Sequence, residues 1–277
     1  MGKLIALITD FGTSDIYVGV MKAVMKKIHP SAEFIDISHE VKRQSIHDGA
    51  FMLRNAYQYF PKDTVFLVVI DPTVGSKRRP ILVETEDYCF IAPDNGILTP
   101  LLADIDNWQA VELSNTAYHL TDGSFTFHGR DIFSPVAAYV ARGDIALDDF
   151  GQSIADLVQL PIPSLSITDT VIKGEVTHID HFGNIITNIG TLHRQSDTQL
   201  ELRTKSLNKL IEASSAHIII GDTRIDTIQT AYHKVAIGEL LLQVDSNGYL
   251  EIAINQGSAS QRLEVSLHDT IVLKLLL

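Results

Sequence analysis

Short apolar runs alternate with amphipathic stretches through the first half of the chain. The runs Leu4–Thr9, Phe34–Ile37 and Val65–Ile70 are largely apolar and rich in β-branched residues, which is typical of strands buried on both faces of a sheet. Between them, Ile16–Ile28 and Ile46–Tyr57 repeat apolar residues every three or four positions, which is the period of one helix face. The β-α-β-α-β order predicts an α/β domain with a mostly parallel sheet covered by helices.

The pattern of strands and helices continues beyond the third strand. Two further apolar runs flank the turn Glu86-Asp87, and Pro135 stands where proline is favoured, in the first turn of a helix. The elements predicted here are strands at Pro80–Thr85, Tyr88–Ala92 and Val111–Leu113 and helices at Ile97–Ala103 and Ser134–Ala141.

The pattern changes near residue 160. Two prolines within the segment Leu160–Leu165 disfavour both a helix and a central strand, which makes this segment the best candidate for a linker. Beyond it, short β-like segments separated by turn residues predict an antiparallel barrel or sandwich. We therefore expect an α/β domain over residues 1–164 and a smaller all-β barrel domain over residues 165–277. The later strands are predicted at Val171–Ile179, Ile185–Ile189, Gln199–Leu202, His217–Ile220, Glu239–Val244, Tyr249–Ile254 and Thr270–Leu275.

Composition narrows the class of protein. Apolar residues make up 45% of the 277 residues, which allows a substantial core. The formal net charge of −12 disfavours non-specific nucleic-acid binding, because that affinity comes largely from Lys and Arg on phosphates. The single cysteine, Cys89, excludes an intramolecular disulfide. The first apolar stretch is too short for a secretory signal and no uncharged run of about 18 residues occurs, so we expect a cytoplasmic protein without a membrane span.

Two carboxylates follow directly on predicted strands. Asp10 ends the first strand, and Asp71 ends the third, with Arg78 close behind it in the same loop. In open α/β sheets the carboxyl ends of strands are where ligands bind, and an ionised carboxylate can accept two hydrogen bonds from a ribose diol. The plainer interpretations are that Ser14 or Asp15 caps the following helix, and that Asp71 and Arg78 form an ordinary surface ion pair.

Three further clusters place polar side chains at predicted turns. His128 lies just before a predicted helix, and Asn184 lies in the turn Asp180–Asn184, where its amide could bind a polar group of a ligand. Ser246 begins a turn that could equally be an ordinary Asn-Gly hairpin.

A metal site formed by His178, Asp180 and His181 is a further hypothesis. In a strand, His178 and Asp180 would share one face while His181 would point to the other. Neither an HExxH motif nor a cysteine-based ligand spacing is present, so we expect no metal.

Six segments, taken together and in chain order, carry the clearest functional signal. They are ITDFGTSDIYVGVMK, VVIDPTVGSKRR, APDNGIL, TFHGRDIFSPVAA, HIDHFGNIITNI and VDSNGYLEIAINQGSA. Their ordered combination, from Leu4 to about Ala259, resembles the S-adenosylmethionine hydroxide adenosyltransferase family, which is related to fluorinating and chlorinating adenosyl enzymes. The resemblance implies hydrolysis of S-adenosyl-L-methionine to adenosine and L-methionine without a cofactor. It also implies a homotrimer with each active site between the N-terminal domain of one subunit and the C-terminal domain of a neighbour.

The resemblance also implies roles for particular residues. Asp71, Arg78 and His128 match the residues with which the family's hydrolases hold and activate water. Asp10 matches the carboxylate that binds the ribose diol, and Tyr232 is expected to stack on adenine. The other residues expected at the substrate are Phe11, Asp15, Asn95 and Gly129, then Asp180, Asn184 and Ser246 at the methionine end, and Asn255, Ser258 and Ala259 in the segment whose backbone reads adenine.

The charge beside the nucleophile bears on the choice between hydrolysis and halogenation. A carboxylate at Asp71 would repel a halide by about 4 kcal/mol at about 4 Å in an effective dielectric of about 20, which favours water or hydroxide. Asn247 and Ile254 also stand where halogenating relatives have arginines. Halide-dependent adenosyl transfer and a non-catalytic module that binds adenosine or S-adenosylmethionine remain alternatives.

Two questions stay open from the sequence. Either Asp71 or His128 is suited to accept a proton from water. Thr73 occupies a position where family members commonly have glycine. If that position required a positive φ, threonine would fit poorly and Arg78 would be displaced.

Overall fold

A computed structural model describes residues 3–204 and 207–276, which form two compact units. The first unit ends at Pro161 and the second begins at Ile162. Each unit has its own hydrophobic core. Within the described ranges, no helix is long and apolar enough to cross a membrane.

The first unit consists of a seven-stranded sheet with helices on both faces. Its strands are β1 (Leu4–Thr9), β2 (Glu33–Ser38), β3 (Val65–Val69), β4 (Pro80–Thr85), β5 (Cys89–Pro93), β6 (Trp108–Glu112) and β7 (Ser153–Ile154). Its helices are α1 (Tyr17–Ile28), α2 (Ile46–Ala56), α3 (Thr99–Leu102) and α4 (Ser134–Arg142), the last preceded by a π-helical turn, Gly129–Phe133. The strands lie in the order β2-β1-β3-β5-β4-β6-β7.

This sheet is mixed, so the prediction of a mostly parallel sheet is wrong. β2, β1, β3 and β5 are parallel, as the β-α-β-α-β pattern predicts, but β4, β6 and β7 pair antiparallel with their neighbours. The cause is local. β4 and β5 are joined through the tight turn Glu86-Asp87, and so short a connection can join only antiparallel strands.

The central strands are buried on both faces, which explains their continuous apolar runs. On β3, Val65 and Leu67 pack in the cluster that contains α1 and α4, while Phe66 and Val68 pack in the cluster that contains α2 and α3. Alternate residues of a strand point to opposite faces, so a strand covered by helices on both sides has to be apolar at every position.

Helix α1 is not capped as the sequence suggested. Its N-cap is Ile16, whose backbone already has helical angles of φ −75° and ψ −11°, so the prediction that Ser14 or Asp15 caps this helix is wrong. A capping side chain normally reaches back from an extended backbone. Helix α2 follows that rule, because its N-cap Ser45 is extended and accepts a hydrogen bond from the backbone N–H of Asp48.

The second unit is dominated by a nearly closed, barrel-like sheet, in agreement with the barrel predicted for this part of the chain. Its strands are β8 (Ser166–Ile167), β9 (Val171–Ile179), β10 (Ile185–Thr187), β11 (Leu192–Arg194), β12 (Gln199–Arg203), β13 (Asn208–Glu212), β14 (Ala216–Ile220), β15 (Thr223–Asp226), β16 (Ile228–Gln229), β17 (Leu240–Val244), β18 (Leu250–Ile254) and β19 (Thr270–Leu275). Nine of them form one sheet, in the order β15-β14-β19-β9-β10-β18-β17-β16 with β8 paired to β9. β15, at one end of this order, also lies against β17 near the other end.

Smaller elements complete the second unit. β11, β12 and β13 form a separate three-stranded sheet, and the short helix α5 (Ala259–Leu263) follows β18. Every pair in the nine-stranded sheet is antiparallel except β16 with β17. In this unit, the strands β8, β11, β13, β15 and β16 were not predicted from the sequence.

Candidate active site

Asp10 and Asp71 leave the same edge of the first sheet. They follow β1 and β3, which are adjacent parallel strands with Thr9 opposite Val69. One carboxylate oxygen of Asp10 accepts a hydrogen bond of 2.8 Å from the backbone N–H of Gln44. The structure therefore places both carboxylates at the edge where ligands bind in this class of sheet.

Asp71 and Arg78 form a buried ion pair. The Nε of Arg78 donates to Oδ2 and Oδ1 of Asp71 at 2.9 and 3.1 Å, and Nη2 of Arg78 also contacts Oδ2. The two side chains are only 5% and 7% exposed, for Asp71 and Arg78 respectively. The interpretation as an ordinary surface pair does not fit this burial, because exposed pairs are loosely held whereas a buried charge needs its partner.

Arg78 connects this pair to His128. Its Nη2 lies 2.7 Å from Nδ1 of His128, and its guanidinium carbon lies 5.3 Å from the centre of the Phe133 ring. Arginine can only donate, so Nδ1 of His128 is the acceptor and the proton of the neutral imidazole is on Nε2. Burial first, and then the positive charge of Arg78, lower the pKa of His128 below its usual value, against the opposing effects of Asp71 and Asp131.

The loop between Asp71 and Arg78 accommodates Thr73 without strain. The residue with a positive φ in this loop is Gly75, at +78°, and Thr73 is not among the residues with positive φ. The hydroxyl of Thr73 instead lies 3.5 Å from Oδ1 of Asp71. The condition under which threonine would fit poorly here, a positive φ at residue 73, is therefore not met.

One donor of Arg78 is left over. Its Nη1 is buried and has no hydrogen-bond partner among residues 3–204 and 207–276. Buried polar groups are rarely left unpaired in folded proteins, so this donor is a candidate contact for a ligand.

His128 is held at the start of the π-helical turn that precedes α4. Within this turn, the buried carboxylate of Asp131 pairs with Arg130 and accepts a 2.7 Å hydrogen bond from the backbone N–H of Ser124. Single π-helical turns occur frequently at functional sites. The sequence indicated a helix here but gave no sign of its π-helical start.

The other residues predicted at the substrate in this unit differ in their surroundings. Phe11 packs its ring against Tyr17 and Phe127 at 5.7 and 5.9 Å between centroids. A side chain at Gly129 would press on Phe127, Met21 and Phe11, so this glycine serves close packing. Asp15 is exposed in the turn before α1.

Asn95 uses its side chain within the protein. Its amide nitrogen donates to the backbone oxygen of Ile70 at 2.9 Å, and its amide oxygen accepts from the backbone N–H of Ile97 at 3.2 Å. This asparagine is therefore tied to the end of β3, directly before Asp71.

In the second unit, the turn between β9 and β10 brings Asp180 and Asn184 together. Oδ1 of Asp180 accepts from the backbone N–H of Phe182 and of Asn184, and Oδ2 accepts from the Asn184 amide at 2.9 Å. Gly183 has a φ of +82°, and a Cβ there would lie 2.0 Å from Oγ of Ser258. Only glycine allows this close approach of the turn to the start of α5.

An open cavity of about 450 Å³ lies beside this turn. Its volume is within the usual range for a small-molecule site. Two aromatic residues, two amide residues and the chain at the end of β18 surround it. The lining residues are Phe182, Asn184, Tyr232, Ile254, Gln256 and Gly257. The structure thus brings together the predicted Asn184 and Tyr232 with Gln256, which lies in the segment Asn255–Ala259 expected to read adenine through its backbone. It adds Phe182, which lies inside a quoted segment but was given no role.

A buried carboxyl group supports the Tyr232 wall of the cavity. Oε1 of Glu251 accepts from the hydroxyl of Tyr232 at 2.9 Å and from the side chain of Gln243 at 2.6 Å. Burial raises the pKa of Glu251, with the hydrogen bonds from Gln243 and Tyr232 opposing it. Burial and the contact with Glu251 raise the pKa of Tyr232 to about 12. The sequence indicated no role for Glu251.

The remaining predicted residues lie outside the cavity lining. Ser246 is exposed in the turn after β17. The side chain of Asn255 donates to the backbone oxygen of Val235 at 2.9 Å. Ser258 caps α5 by accepting from the backbone N–H of Gln261, and Ala259 is fully buried in the first turn of that helix.

The hypothesis of a metal site finds no geometric support in the described ranges. There, no group of three or more His, Cys, Asp or Glu side chains is arranged to hold a metal ion. The ring of His181 packs against Phe182 at 5.7 Å.

Comparisons with known proteins cover both units. Residues 5–151 match the family model described as SAM hydroxide adenosyltransferase N-terminal domain, and residues 174–272 match the corresponding C-terminal domain. A protein of Salinispora tropica named (R)-S-adenosyl-L-methionine hydrolase is 36% identical over 96% of each chain. A protein of the same name from Methanocaldococcus jannaschii is 34% identical over 97% of this chain and 94% of its own. A fluorinase of an Actinoplanes species is more distant, at 27% identity over 91% of both chains.

A solved structure has the same fold. An uncharacterised conserved protein from Thermotoga maritima superposes with a TM-score of 0.84 and is 36% identical, with 98% of this chain and 99% of that chain covered.

Proposed function

The chain belongs to the SAM hydroxide adenosyltransferase family, and from this premise we propose that it hydrolyses S-adenosyl-L-methionine to adenosine and L-methionine. The observation that carries the proposal is the position of Arg78, whose guanidinium binds the buried Asp71 and reaches Nδ1 of the half-buried His128. Relatives named (R)-S-adenosyl-L-methionine hydrolase over nearly the full chain support the same activity.

The substrate brings its own leaving group. The 5′ carbon of the ribose bears a sulfonium, and methionine departs from it with a neutral sulfur, so no general acid is needed. The protein has to hold one water oxygen in line with the C–S bond and raise its nucleophilicity. Positioning of this kind contributes roughly 7–11 kcal/mol in the best intramolecular cases.

The tautomer of His128 suggests a separate task for each residue of the cluster. With Nδ1 occupied by Arg78, the imidazole presents Nε2–H, which can donate to the water oxygen and orient it. Asp71 is then the group that takes the proton. The oxygen forms its bond to the 5′ carbon, the C–S electron pair goes to sulfur, and the proton passes to the Asp71 carboxylate. The unpaired Nη1 of Arg78 is available to stabilise developing hydroxide.

The substrate contacts follow the two units. Asp10 is proposed to bind the ribose diol at the edge of the first sheet. In the second unit, Tyr232 and Phe182 offer aromatic faces for adenine, and Asp180 and Asn184 offer a carboxylate and an amide for the amino acid end. Stacking of a base on an aromatic ring is worth about 1–3 kcal/mol, which suits the cavity as an adenine site.

A halide fits this site worse than water. The nucleophile has to approach beside the carboxylate of Asp71, which repels an anion but accepts a hydrogen bond from water. The test is to add fluoride or chloride at increasing concentration to the reaction. Adenosine should remain the product throughout, and a 5′-halogenated adenosine that increases with halide would overturn the hydrolase assignment.

The direct test is product analysis on the purified full chain. S-adenosyl-L-methionine should yield adenosine and L-methionine in equal amounts, and oxygen from labelled water should be found on the 5′ carbon of adenosine. Free adenine would mean that the glycosidic bond is cut, and tight binding without turnover would make the chain a binding module. Activity should survive treatment with a chelator. Separate assays of the two sulfonium epimers test whether the chain shares the (R) preference in its relatives' names.

The assembly is also a proposal. We expect a homotrimer in which the first unit of one subunit and the second unit of a neighbour form each active site, and light scattering after gel filtration measures the mass directly. Mixing an inactive Asp71 variant with Tyr232→Ala, under conditions that exchange subunits and at substrate well below KM, should raise the rate above that of either variant alone. The cytoplasmic location expected from the sequence stays a prediction.

A further inference from the structure

The loop that carries Asp71 and Arg78 spans a neighbouring strand. It connects β3 to β4, but β5 lies between these two strands in the sheet. The loop therefore passes over the carboxyl end of β5, where Pro93 pairs with Pro80. The two residues that follow β5, Asp94 and Asn95, lie between the two ends of the loop.

Asn95 holds the first end. Its amide nitrogen donates to the backbone oxygen of Ile70 at 2.9 Å, and Ile70 directly precedes Asp71. The amide is oriented by a second bond, because its oxygen accepts from the backbone N–H of Ile97. Ile70 itself is fully buried, so this end of the loop has little freedom to move.

Asp94 holds the second end. Oδ2 of Asp94 accepts from Nε and Nη2 of Arg79 at 2.9 and 2.6 Å, and Arg79 directly follows Arg78. The backbone N–H of Asp94 also donates to the backbone oxygen of Arg79 at 2.8 Å. Its Oδ1 accepts from the backbone N–H of Val158, and the side chain is only 3% exposed.

We propose that Asp94 and Asn95 are positioning residues that clamp both ends of the catalytic loop and thereby fix Asp71 against Arg78. This inference rests on the proposed function, and it assigns Asn95 to the loop rather than to the substrate. Residues 72–77 between the two ends are exposed, so the clamp provides side-chain bonds at both ends of a loop whose middle is open to solvent.

The proposal explains how an exposed loop can hold a buried ion pair. Each catalytic side chain is one residue away from a clamped residue, so an error in the backbone at either end moves Asp71 or Arg78 directly. Misplacement of reacting groups by about 1 Å can cost about 100-fold in rate. Loss of a bond at either end should therefore lower turnover, while the surfaces that bind substrate stay in place.

The test compares three variants of the full chain by kcat and KM for S-adenosyl-L-methionine. Asn95→Ala removes the bond to Ile70, and Asp94→Asn weakens the bond to Arg79 while an oxygen remains for Val158. Both should lower kcat by roughly 10–100-fold with KM changed less than about threefold. Asp156→Asn is the matched control, because Asp156 contacts the same Arg79 at 2.9 Å but is 84% exposed, and it should stay within about twofold of the wild type.

A second measurement does not depend on activity. Trypsin cleaves after lysine and arginine, and the rate of cleavage after Lys77 or Arg78, identified by peptide mass, reports how freely the loop moves. Asn95→Ala and Asp94→Asn should be cut there several-fold faster than the wild type and than Asp156→Asn. One outcome is that the wild type hydrolyses no S-adenosyl-L-methionine while trypsin still cuts the clamp variants faster than the wild type. In that case the proposed function fails and the clamp stands.

The remaining outcomes overturn the clamp. Unchanged kcat and unchanged cleavage in both variants would mean that the loop holds its shape without these residues. A rise in KM for Asn95→Ala with kcat unchanged would return Asn95 to the substrate. If Asn95→Ala does not fold, Asp94→Asn decides the question by the same two measurements.

Discussion

The ion-pair cluster of the first unit and the cavity of the second unit are built on different principles. Asp71, Arg78 and His128 are bound to one another by directed hydrogen bonds and are held by their neighbours in a narrow range of geometry. The cavity is open, and the more exposed of its two aromatic wall residues, Phe182, is 73% exposed. The function of the cluster depends on the directions of its hydrogen bonds, and that of the cavity depends on the shape and area of two aromatic rings.

The difference predicts which kinetic constant each region controls. Groups that act only in the transition state affect kcat, whereas contacts made equally in the ground state and the transition state affect KM. The cluster should therefore control turnover and the cavity should control affinity. The comparison would fail if a substitution in the cluster changed mainly KM, or if a substitution in the cavity changed mainly kcat.

The largest effect is expected at Asp71. Asp71→Asn keeps the size of the side chain but removes the proton acceptor and the charge opposite Arg78, so kcat should fall by roughly 10²–10⁴-fold, the usual contribution of a general base. The dissociation constant of adenosine, measured by calorimetry, should change less than about threefold, because Asp71 lies outside the surface proposed to bind adenosine.

The matched control for this prediction is Asp144→Asn. Asp144 is 56% exposed and pairs with Arg142 at 2.8 Å, so the same chemical change there should leave kcat and stability close to the wild type. An equal loss of turnover and adenosine affinity in Asp71→Asn would reassign Asp71 to binding.

The second effect concerns the cavity. Tyr232→Ala removes a stacking face worth about 1–3 kcal/mol, so the dissociation constant of adenosine should rise by roughly 5–150-fold, with kcat at saturating substrate much less affected. Tyr232→Phe keeps the ring but loses the bond to Glu251, and it should lie close to the wild type. A larger loss in kcat than in affinity for Tyr232→Ala would contradict the division of labour between the two regions.

The two regions also differ in how far the sequence could predict them. The resemblance named Asp71, Arg78 and His128, and in the structure Arg78 contacts the other two, although His128 lies 50 residues beyond Arg78 in the chain. The cavity was predicted less completely. Tyr232 and Asn184 were named, but Phe182 and Glu251 were not, because an exposed aromatic residue in a turn and a glutamate in a strand carry no distinctive local pattern.

Sheet direction and the contacts of Asn95 could not be read from local patterns either. A β-α-β-α-β order predicts parallel strands, and it holds for β2, β1, β3 and β5, but the tight turn at Glu86-Asp87 reverses the direction of β4. Asn95 was expected at the substrate because of the segment in which it lies. Its bond to Ile70 depends on β5 lying between β3 and β4, and that strand order is a property of the whole sheet.

The third effect is a pH dependence of kcat that arises from the ion-pair cluster of the first unit. Burial and Arg78 lower the pKa of His128 below its ordinary value of 6.5, and a second positive charge beside Arg78 would disrupt the cluster. The acidic fall in kcat should therefore have its midpoint below pH 6.5, with His128 neutral and the rate level above it. A kcat profile from pH 4.5 to 8 measures this. A midpoint above pH 6.5 would mean that the pKa of His128 is raised and not lowered, and a rate that falls as pH rises would mean that the cluster works with a charged imidazole.

The smallest effect is expected at Glu251, behind the cavity. Burial raises its pKa above the ordinary value of 4.5, so the folded protein binds this proton more tightly than the unfolded chain does. The stability contributed by Glu251 is therefore greatest at or below pH 4.5 and declines as pH rises through the raised pKa.

Glu251→Gln retains an oxygen that accepts from Tyr232 and Gln243 but cannot ionise. The difference in free energy of unfolding between variant and wild type, measured by urea denaturation from pH 4.5 to 8, should shift in favour of the variant as pH rises, while KM changes less than about threefold. A pH-independent difference would show that Glu251 titrates alike in the folded and unfolded chains, and a large rise in KM would place its charge at the ligand.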